Sequence, residues 1–261
     1  MIRDTEMLPL GQPGNAWSVN ARQVDLCRQR PAPRPMPLVA EPQHLVIDAA
    51  RAALLIIDMQ NDFCHAEGWL ARLGVDTRPL NDPVALLQEL LPELRQAGIP
   101  VFWVNWGNRA DLLNISPSLL HVYKPDGRAT GLGDPLPGLD SRVLERGSWG
   151  AETVAGLEPA PQDIQVAKYR MSGFWDNELD SILRNLDLQT LFFAGVNLDQ
   201  CVMATLQDAS FLGYDCILLA DCAATSSPPF CAEASLYNIK QCYGFVSQAA
   251  SLLSALRELP A

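Results

Sequence analysis

Histidine is scarce in this chain of 261 residues, which limits the metal sites that it can form. The three histidines, His44, His65 and His121, lie far apart and without the i, i+4 spacing of a helical metal site. Basic residues are also few, since 19 Lys and Arg oppose 30 Asp and Glu and give a formal net charge of -11. No basic run offsets this charge, so a small solute is a better partner than a nucleic acid. We therefore expect no metal, no cofactor and no nucleic-acid partner.

Long apolar runs and a regular cysteine pattern are missing too. No uninterrupted apolar stretch reaches about 18 residues, the length that a membrane-spanning helix needs. The first residues lack a basic region followed by an apolar run, as a secretion signal would have. The seven cysteines form no CxxC pair, which favours reduced thiols in a cytosol. The sequence thus predicts a cytoplasmic protein that neither spans a membrane nor is secreted.

The composition supports one sizeable core, because 48% of the residues are hydrophobic. Residues 1–46 differ from the rest, since the segment QRPAPRPMPL has four prolines in ten residues. We interpret residues 1–46 as a proline-rich amino-terminal arm. This arm is either a disordered tail or a segment that lies over its own fold or a neighbouring subunit, with Trp17, Val19 and Leu26 as candidate anchors. Residues 47–261 are predicted to form one folded domain.

From residue 52 onwards, short apolar runs alternate with amphipathic segments, which is the pattern of β-α-β units in a parallel sheet. The predicted strands span residues 52–58, 99–105, 163–168, 190–195, 214–220 and 244–246. The predicted helices span residues 83–97, 178–186, 199–213 and 228–241, and a last helix begins with Ser247 as its cap. Residues 106–150 have weak periodicity and many Gly, Pro, Asp and Ser residues, so we expect a long, functional loop. The predicted fold is α/β, a doubly wound, mostly parallel six-stranded sheet with helices on both faces.

Three reactive side chains stand at the carboxyl ends of predicted strands, where open α/β sheets bind ligands. Asp58 closes the first strand, Lys168 closes another, and Cys201 lies in the first turn of the helix that follows residues 190–195. The positive end of a helix dipole favours the thiolate form of such a cysteine. Cys201 can therefore act as a nucleophile, Asp58 as a proton carrier and Lys168 as a stabilising cation.

Each of these residues also has a purely structural interpretation. A lone cysteine before an apolar helix is usually a buried small hydrophobe, and a lysine at a strand end is usually solvated. A carboxylate after an apolar strand is often bound by backbone donors. The second acid of the segment DMQNDF, Asp62, is expected to face solvent or to cap a helix. Sequence spacing alone does not establish that the three strand ends converge.

Three separated motifs occur in a family-specific order: LLIIDMQNDF, KYRMSGFWDNELDSILRNL and FFAGVNLDQCVMATLQDASFLGYD. Over residues 50–255 the chain resembles the isochorismatase-like cysteine hydrolases. The GSW motif, the RxSGFW motif and the LYNI motif are most similar to the ureidoacrylate amidohydrolase branch, with biuret and N-carbamoyl amide hydrolases as neighbours. The resemblance implies an isochorismatase-like hydrolase domain with Asp58, Lys168 and Cys201 as its catalytic triad. It also implies a cysteine-dependent amidohydrolase that cleaves a C–N bond of a small amide or ureido compound and releases ammonia or an amine.

The resemblance further implies how the reacting carbonyl is held. In the family, the peptide bond at the position of Val196 and Asn197 is cis, and the backbone N–H groups of Asn197 and Cys201 would form the oxyanion hole. This sequence departs from the common GxxTxxC motif, with Leu198 where threonine is usual and Asn197 where alanine is frequent. Similarity to the ureidoacrylate branch suggests substrate contacts, although aromatic residues in such loops equally often fill the core: Phe63, Trp69, Trp106, Asn108, Ser172, Gly173 and Trp175.

Two other branches of the superfamily are disfavoured. Nicotinamidases bind a metal through an Asp-x-His-x-x-His pattern, and the matching segment VNWGNRADLLN has no histidine. True isochorismatases lack the nucleophilic cysteine. Family members commonly form dimers or tetramers, so the resemblance implies a homo-oligomer. Two alternatives to an amidohydrolase remain, namely an enzyme of a non-hydrolytic type and a catalytically silent member that acts as a small-molecule binding or scaffold protein.

Overall fold

A six-stranded parallel sheet forms the centre of the computed structural model, which describes residues 6–259. In chain order the strands of the protein are β1 (Leu8–Leu10), β2 (Trp17–Val19), β3 (Val24–Asp25), β4 (Pro35–Leu38), β5 (Leu45–Asp48), β6 (Ala52–Ile57), β7 (Val101–Trp106), β8 (Ile164–Lys168), β9 (Thr190–Val196), β10 (Asp215–Ala224) and β11 (Phe245–Ser247). Its α-helices are α1 (Asn61–Cys64), α2 (Trp69–Arg72), α3 (Asp82–Gln96), α4 (Pro117–Tyr123), α5 (Leu179–Asn185), α6 (Met203–Phe211), α7 (Pro229–Asn238) and α8 (Ala249–Glu258). The central sheet has the order β11-β10-β9-β6-β7-β8, and every neighbouring pair is parallel. The predicted α/β fold is therefore confirmed.

The order of the strands creates a crevice between β6 and β9. From β6 the chain proceeds outward to β7 and β8, and then returns to build β9, β10 and β11 on the other side. Because parallel crossovers are right-handed, the connecting helices of the two halves cover opposite faces of the sheet. All six side chains of β6 are consequently buried. Ligands of such folds bind where the order reverses, beyond the carboxyl ends of β6 and β9.

Close approach of β6 and β9 depends on a glycine. Gly195 has a φ of 114°, a backbone conformation that other residues rarely adopt. A Cβ atom at this position would lie 2.0 Å from the carbonyl oxygen of Ile57. A side chain at position 195 would thus push apart the two strands that flank the crevice.

Two helix starts differ from the sequence-based expectation. The helix predicted over residues 199–213 begins with a π-helical turn at Leu198–Val202, and α6 follows it. The prediction that Ser247 caps the last helix is wrong, because Ser247 ends β11 and its hydroxyl donates to a backbone carbonyl. Asp221 supplies the cap instead, since its Oδ1 accepts the N–H of Ala249 at 2.8 Å.

The amino-terminal arm is folded in two parts. Strands β1, β2 and β3 form a small antiparallel sheet, and Trp17 and Leu26 in this region are 38% and 54% exposed. These two residues therefore do not anchor the arm to its own fold. Strands β4 and β5 pair with each other, and β4 packs against α8 through the buried side chains of Met36 and Leu38. The boundary near residue 46 stays a prediction, and residues 1–5 of the arm lie outside the described residues.

We expect Met36→Ala to lower the free energy of unfolding by about 3 kcal/mol, because truncation of a fully buried side chain leaves a cavity under β4. Val46→Ala on β5 is the matched control, since Val46 is 71% exposed and its truncation should cost less than about 0.5 kcal/mol. Urea unfolding followed by circular dichroism measures both changes. Equal stability of the two variants would mean that β4 does not contribute to the core.

Candidate active site

Asp58, Lys168 and Cys201 meet at the carboxyl edge of the sheet. Asp58 follows β6, Lys168 is the last residue of β8, and Cys201 lies in the π-helical turn after β9. Lys168 Nζ is 2.8 Å from Asp58 Oδ2, and both side chains are fully buried. The Cys201 side chain is within hydrogen-bonding reach of both partners. The structure thus brings the three residues of the predicted triad together, while their catalytic roles stay a prediction.

The backbone around Asp58 fixes the direction of its carboxylate. Asp58 has a φ of 54°, which is uncommon for a residue other than glycine and is typical of functional sites. Its Oδ1 accepts the backbone N–H of Trp106 at 2.9 Å. Gln60 secures the same region, because its Nε2 donates to the carbonyls of Trp106 and Ala151 at 2.8 and 2.7 Å. The carboxylate is therefore held by rigid neighbours on β7 and on the long loop.

Lys168 keeps its positive charge although it is fully buried. Its Nζ donates to the carbonyl of Arg170 at 3.1 Å and lies 4.3 Å from the centre of the Trp106 ring, at a cation–π distance. Burial by itself lowers the pKa of Lys168, but the interaction with the Asp58 carboxylate outweighs this effect and raises the pKa above its ordinary value. The site therefore contains a permanent cation beside the thiol.

Burial favours the protonated form of the Cys201 thiol. Burial raises its pKa to about 12, and the lowering by the Lys168 charge is opposed by the charge of Asp58. Burial therefore opposes the effect of the first helical turn, which favours the thiolate. Burial also raises the pKa of Asp58, against the effect of Lys168. The Asp58 carboxylate is the negatively charged group that acts on the thiol.

The turn that carries Cys201 is tied to the segment after Lys168. The peptide bond between Val196 and Asn197 is cis. The hydroxyl of Thr205 donates to the carbonyl of Cys201 at 2.6 Å and accepts the N–H of Gly173 at 2.9 Å. This pair of hydrogen bonds fixes the turn that carries Cys201 relative to the segment that follows β8.

Aromatic side chains cluster beside the triad. The ring centroids of Phe63 and Trp69 are 6.4 Å apart, and the ring of Tyr123 lies 5.2 Å from Trp69 and 6.2 Å from Trp106. Sequence reasoning selected Phe63, Trp69 and Trp106 and missed Tyr123. Tyr123 ends α4, a short helix inside the aperiodic residues 106–150, so no motif identifies it.

The remaining predicted substrate contacts differ in their positions. Asn108 is fully buried, and neither polar atom of its amide has a hydrogen-bond partner among residues 6–259. Trp106 Nε1 is likewise buried without a partner in this range. Ser172 is buried and accepts the N–H of Phe174, as a turn residue does. Trp175 is 59% exposed and donates to a surface aspartate on α6, so the structure does not bring it to the triad.

Asp62 holds the long loop in place and does not face solvent. Its side chain is fully buried and accepts the N–H groups of Trp69 at 3.2 Å and Leu144 at 2.7 Å. Gly150 passes so close that a Cβ there would lie 2.2 Å from Asp62 Oδ2. Of the two expectations for Asp62, helix capping is confirmed, because Asp62 accepts the N–H of Trp69, the first residue of α2. Exposure to solvent is not, because the long loop covers the side chain.

Residues 6–259 contain no group of three or more His, Cys, Asp or Glu side chains that is placed to hold a metal ion. Within the same residues, no helix is long and apolar enough to cross a membrane. All seven cysteines lie in this part of the chain and are free thiols.

Comparison with known proteins agrees with this architecture. Residues 52–251 match the isochorismatase domain family. Ureidoacrylate amidohydrolase RutB of Cronobacter sakazakii is 32% identical over 220 residues, which cover 84% of this chain and 94% of that protein. A cysteine hydrolase from Pseudomonas syringae pv. phaseolicola has a TM-score of 0.68 at 26% identity, covering 85% of this chain and 97% of its own. N-carbamoylsarcosine amidase from Thermoplasma acidophilum has a TM-score of 0.59 at 25% identity, covering 76% and 96%. The chain therefore belongs to the isochorismatase family.

Proposed function

We propose that this protein is a cysteine-dependent amidohydrolase that cleaves a C–N bond of a small amide or ureido compound. The observation that carries the proposal is the buried ion pair of Asp58 and Lys168 next to the Cys201 thiol. A carboxylate, an ammonium and a thiol are costly to bury together, so a structural role alone is a poor explanation. Relatives named as a ureidoacrylate amidohydrolase and an N-carbamoylsarcosine amidase support the same reaction class.

In the proposed mechanism, Asp58 removes the thiol proton as Cys201 Sγ attacks the carbonyl carbon. The backbone N–H groups of Asn197 and Cys201 donate hydrogen bonds to the developing oxyanion. When Asp58 takes up the proton, the negative charge moves to the sulfur and then to the oxyanion. Lys168 stays protonated and stabilises this charge. Asp58 then protonates the departing nitrogen, and ammonia or an amine leaves a thioester or thiocarbamate on the sulfur. Water that Asp58 deprotonates attacks this intermediate and restores the free thiol.

Polar groups without partners supply candidate substrate contacts. The Asn108 amide and Trp106 Nε1 are buried without partners among the described residues, which is unfavourable unless a ligand completes their hydrogen bonds. An amide or ureido group offers both N–H donors and a carbonyl acceptor, so it matches this demand. We further propose a cytoplasmic location, which suits seven free thiols, and a homo-oligomer, either a dimer or a tetramer.

The proposal is tested by ammonia release from a panel of ureido acids, biuret, carbamoyl amines and simple amides. We expect turnover with at least one of these classes. Cys231→Ala, which removes a half-buried thiol on α7, is the control and should retain the activity. If no compound of the panel releases ammonia or an amine, the alternative of a catalytically silent binding protein is favoured.

The pH profile of kcat/KM distinguishes a protonated resting thiol from a resting thiolate. Activity should fall with decreasing pH as Asp58 becomes protonated, and burial places this limb above the ordinary carboxyl pKa of about 4. Since the pKa of Cys201 is raised to about 12, we expect no rise in rate near about pH 8.5, where an ordinary thiol ionises. Initial rates between about pH 4 and pH 10 show the position of the acidic limb and whether the rate rises near pH 8.5. A rising limb near pH 8.5 would mean that the thiolate forms before substrate binds.

A further inference from the structure

Four uncharged side chains, Trp69, Trp106, Tyr123 and Met171, form a wall beside the Cys201 thiol, which we call the aromatic–thioether wall. Met171 Sδ lies 3.9 Å from Cys201 Sγ, and the Tyr123 hydroxyl lies 3.5 Å from the same Sδ atom. The Tyr123 ring in turn contacts both tryptophan rings. The wall therefore borders the sulfur through Met171 and continues from there to the three aromatic rings.

The two basic side chains nearest Met171 in sequence, Lys168 and Arg170, already have partners. Lys168 Nζ is bound by Asp58 and by the carbonyl of Arg170. The guanidinium of Arg170 is held by Asp176 at 2.9 Å and by the carbonyl of Asn114 at 2.7 Å. In the part of the chain that the structure describes, the charges that act on the Cys201 thiol are those of Lys168 and Asp58, which offset each other. Neither Lys168 nor Arg170 is therefore free to pair with a substrate carboxylate at Met171.

The surroundings of the wall disfavour further negative charge. Burial, together with the negative charge of Asp58, raises the pKa of the Tyr123 phenol well above its ordinary value. A substrate carboxylate at this place would be desolvated and repelled in the same way. The Tyr123 hydroxyl has a thioether as its acceptor, which is a weak partner, so it can donate to a neutral carbonyl or amide oxygen instead.

We infer that the part of the substrate remote from the scissile bond is uncharged and packs against the aromatic–thioether wall. Substrates are then neutral amides or ureas with a small apolar substituent, and ureido acids are excluded. This inference rests on the proposed function and narrows its substrate class. It also separates this chain from its relative that is named for ureidoacrylate, a compound with a carboxylate.

Two ligands of equal shape test the inference. Isopentylurea and 3-ureidopropionate share the urea group and the chain length. Isopentylurea ends in a neutral isopropyl group, whereas 3-ureidopropionate ends in a carboxylate. Ligand-observed NMR titration of the Cys201→Ala protein measures both dissociation constants without turnover. We expect isopentylurea to bind at least tenfold more tightly. Equal affinities, tighter binding of 3-ureidopropionate, or no binding of isopentylurea would overturn the inference.

A charge placed in the wall should reverse the preference. In the background of Cys201→Ala, Met171→Arg puts a guanidinium next to the position of the sulfur, so 3-ureidopropionate should gain at least tenfold in affinity. Leu113→Arg adds the same charge at a residue that is 83% exposed and should leave the ratio of the two affinities unchanged. An equal gain in both variants would mean that net charge, and not the wall, sets the preference, and it would contradict the inference.

The binding measurements and the activity panel fail independently. If the panel shows turnover but 3-ureidopropionate binds more tightly than isopentylurea, the amidohydrolase proposal stands and the substrate class is wrong. If isopentylurea binds with the expected preference but no compound releases ammonia, the site recognises neutral ureas without the proposed chemistry.

Discussion

Replacing Cys201 with alanine is expected to lower kcat by at least about 10⁴-fold, because the covalent route loses its nucleophile. The remaining hydrogen-bond donors and the Asp58–Lys168 pair cannot replace a sulfur that forms the bond to the carbonyl carbon. Truncation to alanine removes one buried sulfur atom, which should cost only about 1 kcal/mol of stability. Loss of activity should therefore occur in a folded protein.

Cys222→Ala is the matched control for this experiment. Cys222 is fully buried in β10, and burial raises the pKa of its thiol, as it does for Cys201. Its truncation removes a thiol of the same burial from outside the triad, so the activity should be retained. Initial rates on the best compound of the panel and urea unfolding curves measure both variants. Retained turnover in Cys201→Ala would refute the nucleophile assignment.

The sheet was predictable because strands that are buried on both faces leave a strong signal in sequence. Residues 52–58 are apolar up to Asp58, and the structure places them at the centre of the sheet as β6. The rule that ligands bind beyond the carboxyl ends of strands then selected Asp58, Lys168 and Cys201 without any coordinates. The order of the three motifs then indicated the family, because three separated segments of one family are rarely combined by chance.

Features of the site that depend on the long loop were not predictable. Tyr123 reaches the triad because Asp62 and Gly150 fix the course of residues 106–150, and these contacts leave no periodic pattern. The balance of the effects on the Cys201 thiol could not be weighed from sequence either. Position in a first helical turn favours a thiolate, whereas full burial beside the Asp58 carboxylate favours the thiol, and only the structure reveals the burial.

Asp58→Asn is expected to have the second large effect, on both activity and stability. It removes the proton carrier, so kcat should fall by at least about 10³-fold. It also leaves the fully buried Lys168 without its counter-charge, which should lower the free energy of unfolding by about 3 to 5 kcal/mol at neutral pH. Without Asp58, burial dominates and lowers the pKa of Lys168, so the stability of the variant should recover as the pH rises and Lys168 loses its proton.

The double variant Asp58→Asn with Lys168→Met separates the two roles of the pair. Methionine removes the uncompensated charge and roughly fills the same space, so the double variant should regain most of the stability that Asp58→Asn loses. Its activity should stay as low as that of the single variant, because the carboxylate is still missing. Urea unfolding at about pH 6 and pH 9 and initial rates measure these quantities. If the stability losses of Asp58→Asn alone and Lys168→Met alone simply add in the double variant, Asp58 and Lys168 are not a coupled pair. The proposed mechanism then loses the ion pair on which it depends.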